Sequence, residues 1–446
     1  MSDVLARGPA LGAPLPYSGP RRTRARLFLA AWPVYGIFVL LPLWWVLGVS
    51  GFVTAALSVP ILGSLLFRRR VQVPRGFGLW LFFLFWCGIS ATQIATARMG
   101  FSLAYRASIY VAATALLLYV VNHDEGQLPA RTLINGLAVF WVVIVVGGLV
   151  GMIVPAFSIH TLAEVFVPRS LLDDKFVKDL VSATTSSTRA FAAYPIHRPK
   201  APFIYTNEWG ATFAMTLPFA IASLGYMRTK LFRDLMVLLI LASVIPLVFS
   251  LDRGAWLSAG GAMAYATFRL ARGRNAQVLK AVAMGAVVIG ALLFVTPLGQ
   301  IIQLRLTHGY GDAERAYLYR TSFELVQQSP LVGYGAPVDV AEGALSAGTH
   351  GQLWTVLVSQ GFPGLFFFTA FLLWALWRSS RPLPPGHPGD RHARFWCEIA
   401  IFTAIIQMPY YDLLPWGLPI AMIAAALAWR ESEGRVPVPA PAPAGD

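Results

Sequence analysis

The chain has 446 residues, of which 57% are hydrophobic and only 13% charged. A soluble globular domain carries about twice that share of charge. A soluble domain, a disordered chain and a disulfide-stapled secreted scaffold are therefore excluded. What remains is a polytopic membrane protein. The net charge of +14 raises nucleic acid as a partner, but its distribution along the chain gives a simpler account, and no nucleic acid is expected.

A bilayer core about 30 Å thick needs roughly 20 apolar residues per helix. Twelve such runs follow one another: 28–47, 51–67, 77–96, 103–121, 133–155, 204–226, 234–250, 254–270, 281–297, 353–377, 395–409 and 414–429. Those at 51–67, 254–270 and 395–409 are short. The expected fold is an all-α polytopic membrane protein of about twelve transmembrane helices. Residues 1–26 form a tail ahead of an uncleaved first helix, because the apolar run is long and lacks a clear small-residue cleavage site. The membrane domain is expected over 27–430, followed by a Pro/Ala-rich tail at 431–446, extended in conformation. Cys87 and Cys397 fall inside apolar runs and read as small buried hydrophobes.

Lys and Arg set the orientation. With both termini cytoplasmic, the inner segments hold Arg68–Arg70, Arg228, Lys230, Arg233, Arg269, Arg272, Arg378, Arg381 and Arg391, and so most of the 35 basic residues. This positive-inside pattern also suits anionic headgroups. Two long loops, 156–203 and 298–352, then face outward, and long loops in a compact protein are usually functional. Within the first, Leu172, Phe176 and Leu180 are four apart. They predict a short amphipathic helix over Ser170–Val181, lying on the leaflet or packed on the membrane helices.

Four outward clusters carry candidate chemistry. Asp252–Arg253 form a tight turn between two apolar runs. Arg253 offers a planar fork of donors suited to phosphate; an ion pair with Asp252 or a snorkelling side chain is the plainer alternative. Gly311–Pro330 predicts a helix capped by Asp312 and stopped by Pro330, with Arg315, Tyr319, Phe323 and Val326 on one face. Arg315 sits in the first turn, where the helix dipole favours an anion; its alternative is pairing with Asp312 or Glu314. Arg320 lies about 140° round that helix from Arg315, so the two should not reach one ligand. His350, just before the tenth run, could accept a proton near neutral pH, or be a hydrogen-bonded structural residue; His160, His197 and His308 compete for the role. In Arg198–Gly210 the chain re-enters the membrane. Arg198 and Lys200 bring positive charge there, and Asn207 and Glu208 are polar within an apolar run or cap it.

There is no internal repeat, no nucleotide-binding Gly-rich loop with Lys, and no His-x-x-x-His spacing in the chain. Outside the cell no nucleotide sugar is supplied, so an activated substrate would arrive on a lipid. A lipid-linked pyrophosphate fits both the charge and the place.

At these residues the sequence resembles the O-antigen ligase / O-antigen polymerase superfamily of bacterial membrane proteins. The matching stretches are TNEWGATFAMTLPF from Thr206, DRGAW from Asp252, RAYLYRTSFELVQQSPLVGYG from Arg315 and HGQLWTVLVSQGFPG from His350. In that family an Arg stands at the short outer turn. A second Arg opens a loop helix ending in Pro-Leu-x-Gly-x-Gly, and a His precedes the next span. Arg253, Arg315 and His350 occupy those places. The family often has Ser before the first Arg and Asn after the His, where this chain has Asp252 and Gly351.

The resemblance implies a GT-C-like, metal-independent, inverting glycosyltransferase of the bacterial plasma membrane, with no cofactor and an outward-facing site. Its donor would be an undecaprenyl-pyrophosphate-linked glycan and its acceptor a glycan or lipid-linked molecule. Membrane lipid and other polysaccharide-assembly proteins would be further partners. Arg253 and Arg315 would bind the pyrophosphate and His350 would be the catalytic base. Arg198, Asn207, Asp252 and Arg320 would shape the pocket. TNEWG with the preceding RPKAPF looks closer to the polymerase branch, which builds surface or exopolysaccharide from repeat units; a ligase would move a finished glycan to lipid A–core. A flippase is the rival from another class, but its charges should line a route through the membrane.

Overall fold

The computed structural model describes residues 30–433, apart from 156, 173–174, 192–193, 273–275, 308–311 and 342–344. Helix occupies every apolar run read from the sequence. Helix α1 (Ala30–Val39 with Leu41–Leu47) is bent by 50° where Pro42 follows the break, a residue that cannot donate to the preceding turn. Helices α2 (Val53–Leu66), α3 (Phe77–Ser90), α4 (Ala97–Val121) and α5 (Ala130–Ile153) complete the first half. Four helices are long and apolar enough to cross a membrane, or up to six if each bent pair is one span. Both cysteines are free and buried.

The 156–203 loop is not bare. It holds three short helices, α6 (Leu162–Phe166), α7 (Arg169–Leu172) and α8 (Lys175–Val181), and four strands. Strands β1 (Ser158–Ile159) and β2 (Ala183–Thr184) pair antiparallel, as do β3 (Ser186–Phe191) and β4 (Tyr194–Pro199). The single amphipathic helix expected over Ser170–Val181 is thus two helices flanking residues 173–174, which lie outside the described residues. Leu180 sits against Gly51, and the Val181 carbonyl accepts from Thr161. Of the two expected placements, this is packing on the membrane helices.

The second half runs α9 (Thr206–Ser223), α10 (Lys230–Phe249), α11 (Arg253–Arg272), α12 (Ala276–Val295), α13 (Leu298–Thr307) and α14 (Asp312–Gln328). Strands β5 (Val338–Ala341) and β6 (Leu345–Ala347) follow, and then α15 (Gln352–Ser380), α16 (Arg391–Gln407) and α17 (Gly417–Glu433). Helix α17 is apolar all round and buried from Leu418 to Trp429, as such a helix must be. Its alanines let α4 and α16 approach closely. Trp80, packed among Phe83, Tyr110, Phe368 and Phe371, extends the same core cluster toward α3.

Helix α15 is broken at Gly361, whose φ of +66° lies in the region glycine tolerates. A break frees backbone carbonyls that an apolar setting cannot leave unpaired. The segment after α14 supplies the partners. Tyr334 and Gly335 donate their N–H groups to the Val358 and Ser359 carbonyls at 3.0 and 2.8 Å, and Phe362 N–H returns to Pro330 O at 2.8 Å. Trp86 Nε1 reaches both Leu331 O and Gln360 O at 3.0 Å. The Pro-Leu-x-Gly-x-Gly stretch is therefore a splint for the broken helix, and it fixes where α14 leaves the bundle.

At the end of the bundle away from the Asp252 turn, Arg430 joins Glu125 at 2.8 Å and Glu431 at 3.2 Å. Glu431 accepts from Asp390 N–H, and Tyr226 donates to Asp390 at 2.5 Å. Helix α17 runs on to Glu433, past residue 430.

Candidate active site

The turn between α10 and α11 has an unusual backbone. Leu251 has φ +53°, the one positive φ outside glycine among the described residues, where a branched side chain costs about 1–2 kcal/mol. Two buried arginines hold it. Arg198 at the end of β4 donates Nε to Ser250 O at 2.5 Å, and Arg305 on α13 donates Nε to Leu251 O at 2.9 Å. Asp252 is thereby turned inward at 5% exposure. Its Oδ1 accepts from Gly254 N–H at 3.2 Å, which caps α11. Its Oδ2 faces Gly210 on α9, where an added Cβ would come within 2.8 Å. Burial raises the Asp252 pKa, and Tyr411, Arg198 and Arg315 oppose that rise.

Tyr411 is the meeting point. It belongs to the turn between α16 and α17, and its hydroxyl is so close to Gly254 that a Cβ there would meet it at 2.7 Å. Burial pushes its pKa well up, with Asp252 adding to the rise and Arg315 opposing it. The Tyr411 carbonyl accepts from Gln352 N–H at 2.7 Å, and Met408 O accepts from Leu353 N–H at 2.9 Å. The start of α15 is thus docked on the 407–412 turn. His350 lies two residues upstream, half-buried, with Thr349 Oγ1 3.0 Å from its Nδ1. Helix α14 reaches the same turn. Tyr319 stacks on Trp354 at 4.8 Å and contacts Pro409 O at 3.4 Å, while Trp354 Nε1 donates to Pro409 O at 3.1 Å.

The half-buried Arg253 and Arg315 therefore stand on elements packed around one turn, and the His350 segment packs on that turn and on α14. Helix α14 spans Asp312–Gln328, with Pro330 just beyond. Its buried stripe is Leu318, Ser322 and Val326. Phe323, expected to share a face with Arg315, Tyr319 and Val326, is 48% exposed, whereas Val326 is buried. Arg320 points outward and pairs with Glu324 at 3.0 Å, so it lies apart from Arg315. Asn207 is exposed at the start of α9. His160 lies near Glu164 at 3.3 Å, and His197 bonds Thr188 at 3.0 Å within the β3–β4 hairpin. His308 lies outside the described residues.

A second polar cluster adjoins the turn. Arg106 on α4 pairs with Asp412 at 2.9 Å, largely buried. Glu208 accepts from Ile204 N–H at 3.2 Å, so it caps the start of α9. Lys200 is buried, and desolvation lowers its pKa against the pull of Asp179 and Glu208. The membrane helices are thus not charge-free. Arg106–Asp412 lies beside this turn, and Arg269–Glu398, at 3.1 Å, toward the other end of α11.

Sequence reasoning missed Arg305, Arg106, Tyr411 and Asp412. Arg305 and Arg106 were visible as lone cations in apolar surroundings, and Tyr411–Asp412 as polar residues between two apolar runs. Their partners are far away in sequence, so no local spacing marks them. No group of three His, Cys, Asp or Glu that could hold a metal gathers among the described residues. The arrangement sets a buried carboxylate, Asp252, within electrostatic reach of Arg198 and Arg315, and an imidazole against a hydroxyl at His350 and Thr349.

No curated protein matches the chain. The family model for O-antigen ligase matches residues 237–369, a stretch that contains Arg253, Arg315 and His350. Over these residues the chain is similar to the O-antigen ligase family, in line with the resemblance its motifs carry.

Proposed function

We propose that this protein is a GT-C-like membrane glycosyltransferase that extends a polysaccharide, taking repeat units from an undecaprenyl-pyrophosphate carrier. One observation supports the reading above the others: three sequence-distant segments, bearing Arg253, Arg315 and His350, abut the single 407–412 turn. Arg253 and Arg315 bind the pyrophosphate and stabilise the charge that develops as the anomeric bond breaks. His350 takes the proton of the attacking sugar hydroxyl. Attack from the face opposite the departing pyrophosphate inverts the anomeric carbon. Asp252 and Arg198 shape the pocket, with Asn207 at its margin, and no metal takes part. In this reading residues 27–430 form twelve spans with both termini, 1–26 and 431–446, in the cytoplasm. Loops 156–203 and 298–352, and with them the site, face outward from a bacterial inner membrane.

A ligase that moves a finished glycan to lipid A–core or another acceptor fits the family match equally. A flippase fits less well, because the charged groups gather at the ends of the bundle. The deciding experiment incubates the purified protein with lipid-pyrophosphate repeat units and resolves products by length, with His350→Ala alongside. A ladder of multiples, lost in the variant, supports the polymerase. Transfer only to an added acceptor makes it a ligase, and separated Arg253 and His350 in an experimental structure would sink the mechanism.

A further inference from the structure

A cavity of about 510 Å3 opens between α5, the end of α9 and α10, in the size range of small-ligand sites. Its walls are Val142, Leu235, Met236 and Leu239, and its mouth carries Asn135 and Arg228. It lies at the far end of α9 from Asn207, so it is separate from the candidate active site. From Thr229 to Leu239 is ten residues, about 15 Å of helix. That is half the thickness of a bilayer core, which is about 30 Å: the depth of one leaflet.

Helix α10 stands away from the bundle here. Met236 is its buried residue between Lys230 and Ala242, while Leu231, Phe232, Leu235 and Leu238 are more than half exposed. Arg228 is exposed and has no carboxylate partner among the described residues. Lys230 and Arg233 follow it, against Asp234 alone. An apolar slot one leaflet deep, with unopposed positive charge at its mouth, has the form of a lipid with a negative headgroup.

We propose that this groove is a binding site for an anionic phospholipid, one chain lying against Val142, Leu235 and Leu239 and the phosphate meeting Arg228. Bound there, the lipid would tie α10 to the bundle. Because α10 leads directly into the Asp252 turn, occupancy would steady that turn from the opposite leaflet. The binding claim does not depend on the enzymatic reading.

The test uses the full-length protein in nanodiscs containing equal amounts of phosphatidylglycerol and phosphatidylcholine. After transfer to detergent, retained lipid is counted by native mass spectrometry. The expected result is one retained phosphatidylglycerol, favoured about fivefold to thirtyfold, as one or two basic groups at a membrane surface supply. Arg228→Gln should remove the preference, and Leu239→Trp, which fills the slot, should remove retention of both lipids. Arg272→Gln, at another exposed cation on the same end, should change neither. Equal retention of the two lipids, retention surviving Leu239→Trp, or a loss in Arg272→Gln equal to that in Arg228→Gln overturns the proposal.

Discussion

Replacing Arg305 by alanine probes how the Asp252–Arg253 turn is held. The guanidinium donates to Leu251 O at 2.9 Å from a site only 7% exposed. A hydrogen bond to a charged group contributes about 1.5–3 kcal/mol. Leu251 is held at φ +53°, which costs about 1–2 kcal/mol, and the turn recovers that energy if it relaxes. The net loss of stability should therefore be modest, about 1 kcal/mol and no more than about 2 kcal/mol. The functional effect should be larger, because relaxation swings Asp252 and Arg253 away from Tyr411. A 1 Å misplacement at a reacting centre costs about a hundredfold in rate. Intrinsic-fluorescence melting in detergent reads the first quantity, and glycan transfer from a lipid-pyrophosphate donor reads the second. Arg305→Lys should recover little, since an ammonium lacks the planar fork. Transfer within twofold of wild type in Arg305→Ala would refute the clasp.

Other predictions rest on different contacts. Gly361→Ala places a Cβ 2.4 Å from Leu331 O at a φ of +66°, and should cost about 3 kcal/mol or prevent folding. Gly78→Ala, with open space around it, should leave melting unchanged, and equal melting of the two variants would dismiss the splint. Burial raises the Asp252 pKa above 3.8, so between 3.8 and the raised value the folded state holds the extra proton. Wild-type stability should fall as pH rises through that window. Asp252→Asn should flatten the slope, and a melting profile of unchanged slope would count against the buried carboxylate. Arg320→Ala removes an exposed pair with Glu324 worth about 0.5 kcal/mol, and should leave transfer at wild-type rate; a tenfold loss would place Arg320 in the site after all.

That the apolar runs form helices was legible in the sequence, because such runs have few other solutions in lipid, although four to six of the helices are long and apolar enough to cross a membrane, against the twelve expected. So were the ends of α14, which starts at Asp312 and stops at Gln328, just before Pro330, a residue with no backbone donor. The family could be read as well, from short stretches whose order matters more than any one of them. The break in α15 was not legible. Gly361 reads as one of many glycines until the Tyr334 and Gly335 N–H groups are seen filling the carbonyls it frees. Nor was the pairing of β1 with β2 in the 156–203 loop, since strands of two residues are too short to show a period. The sequence nominated Arg253, Arg315 and His350 one by one. The 407–412 turn against which their segments pack, and the two arginines that set the Leu251 turn, came only with the tertiary structure. Helix and membrane propensity are written in neighbours a few residues apart, whereas a turn clasped by Arg198 and Arg305 depends on side chains about fifty residues away on either side.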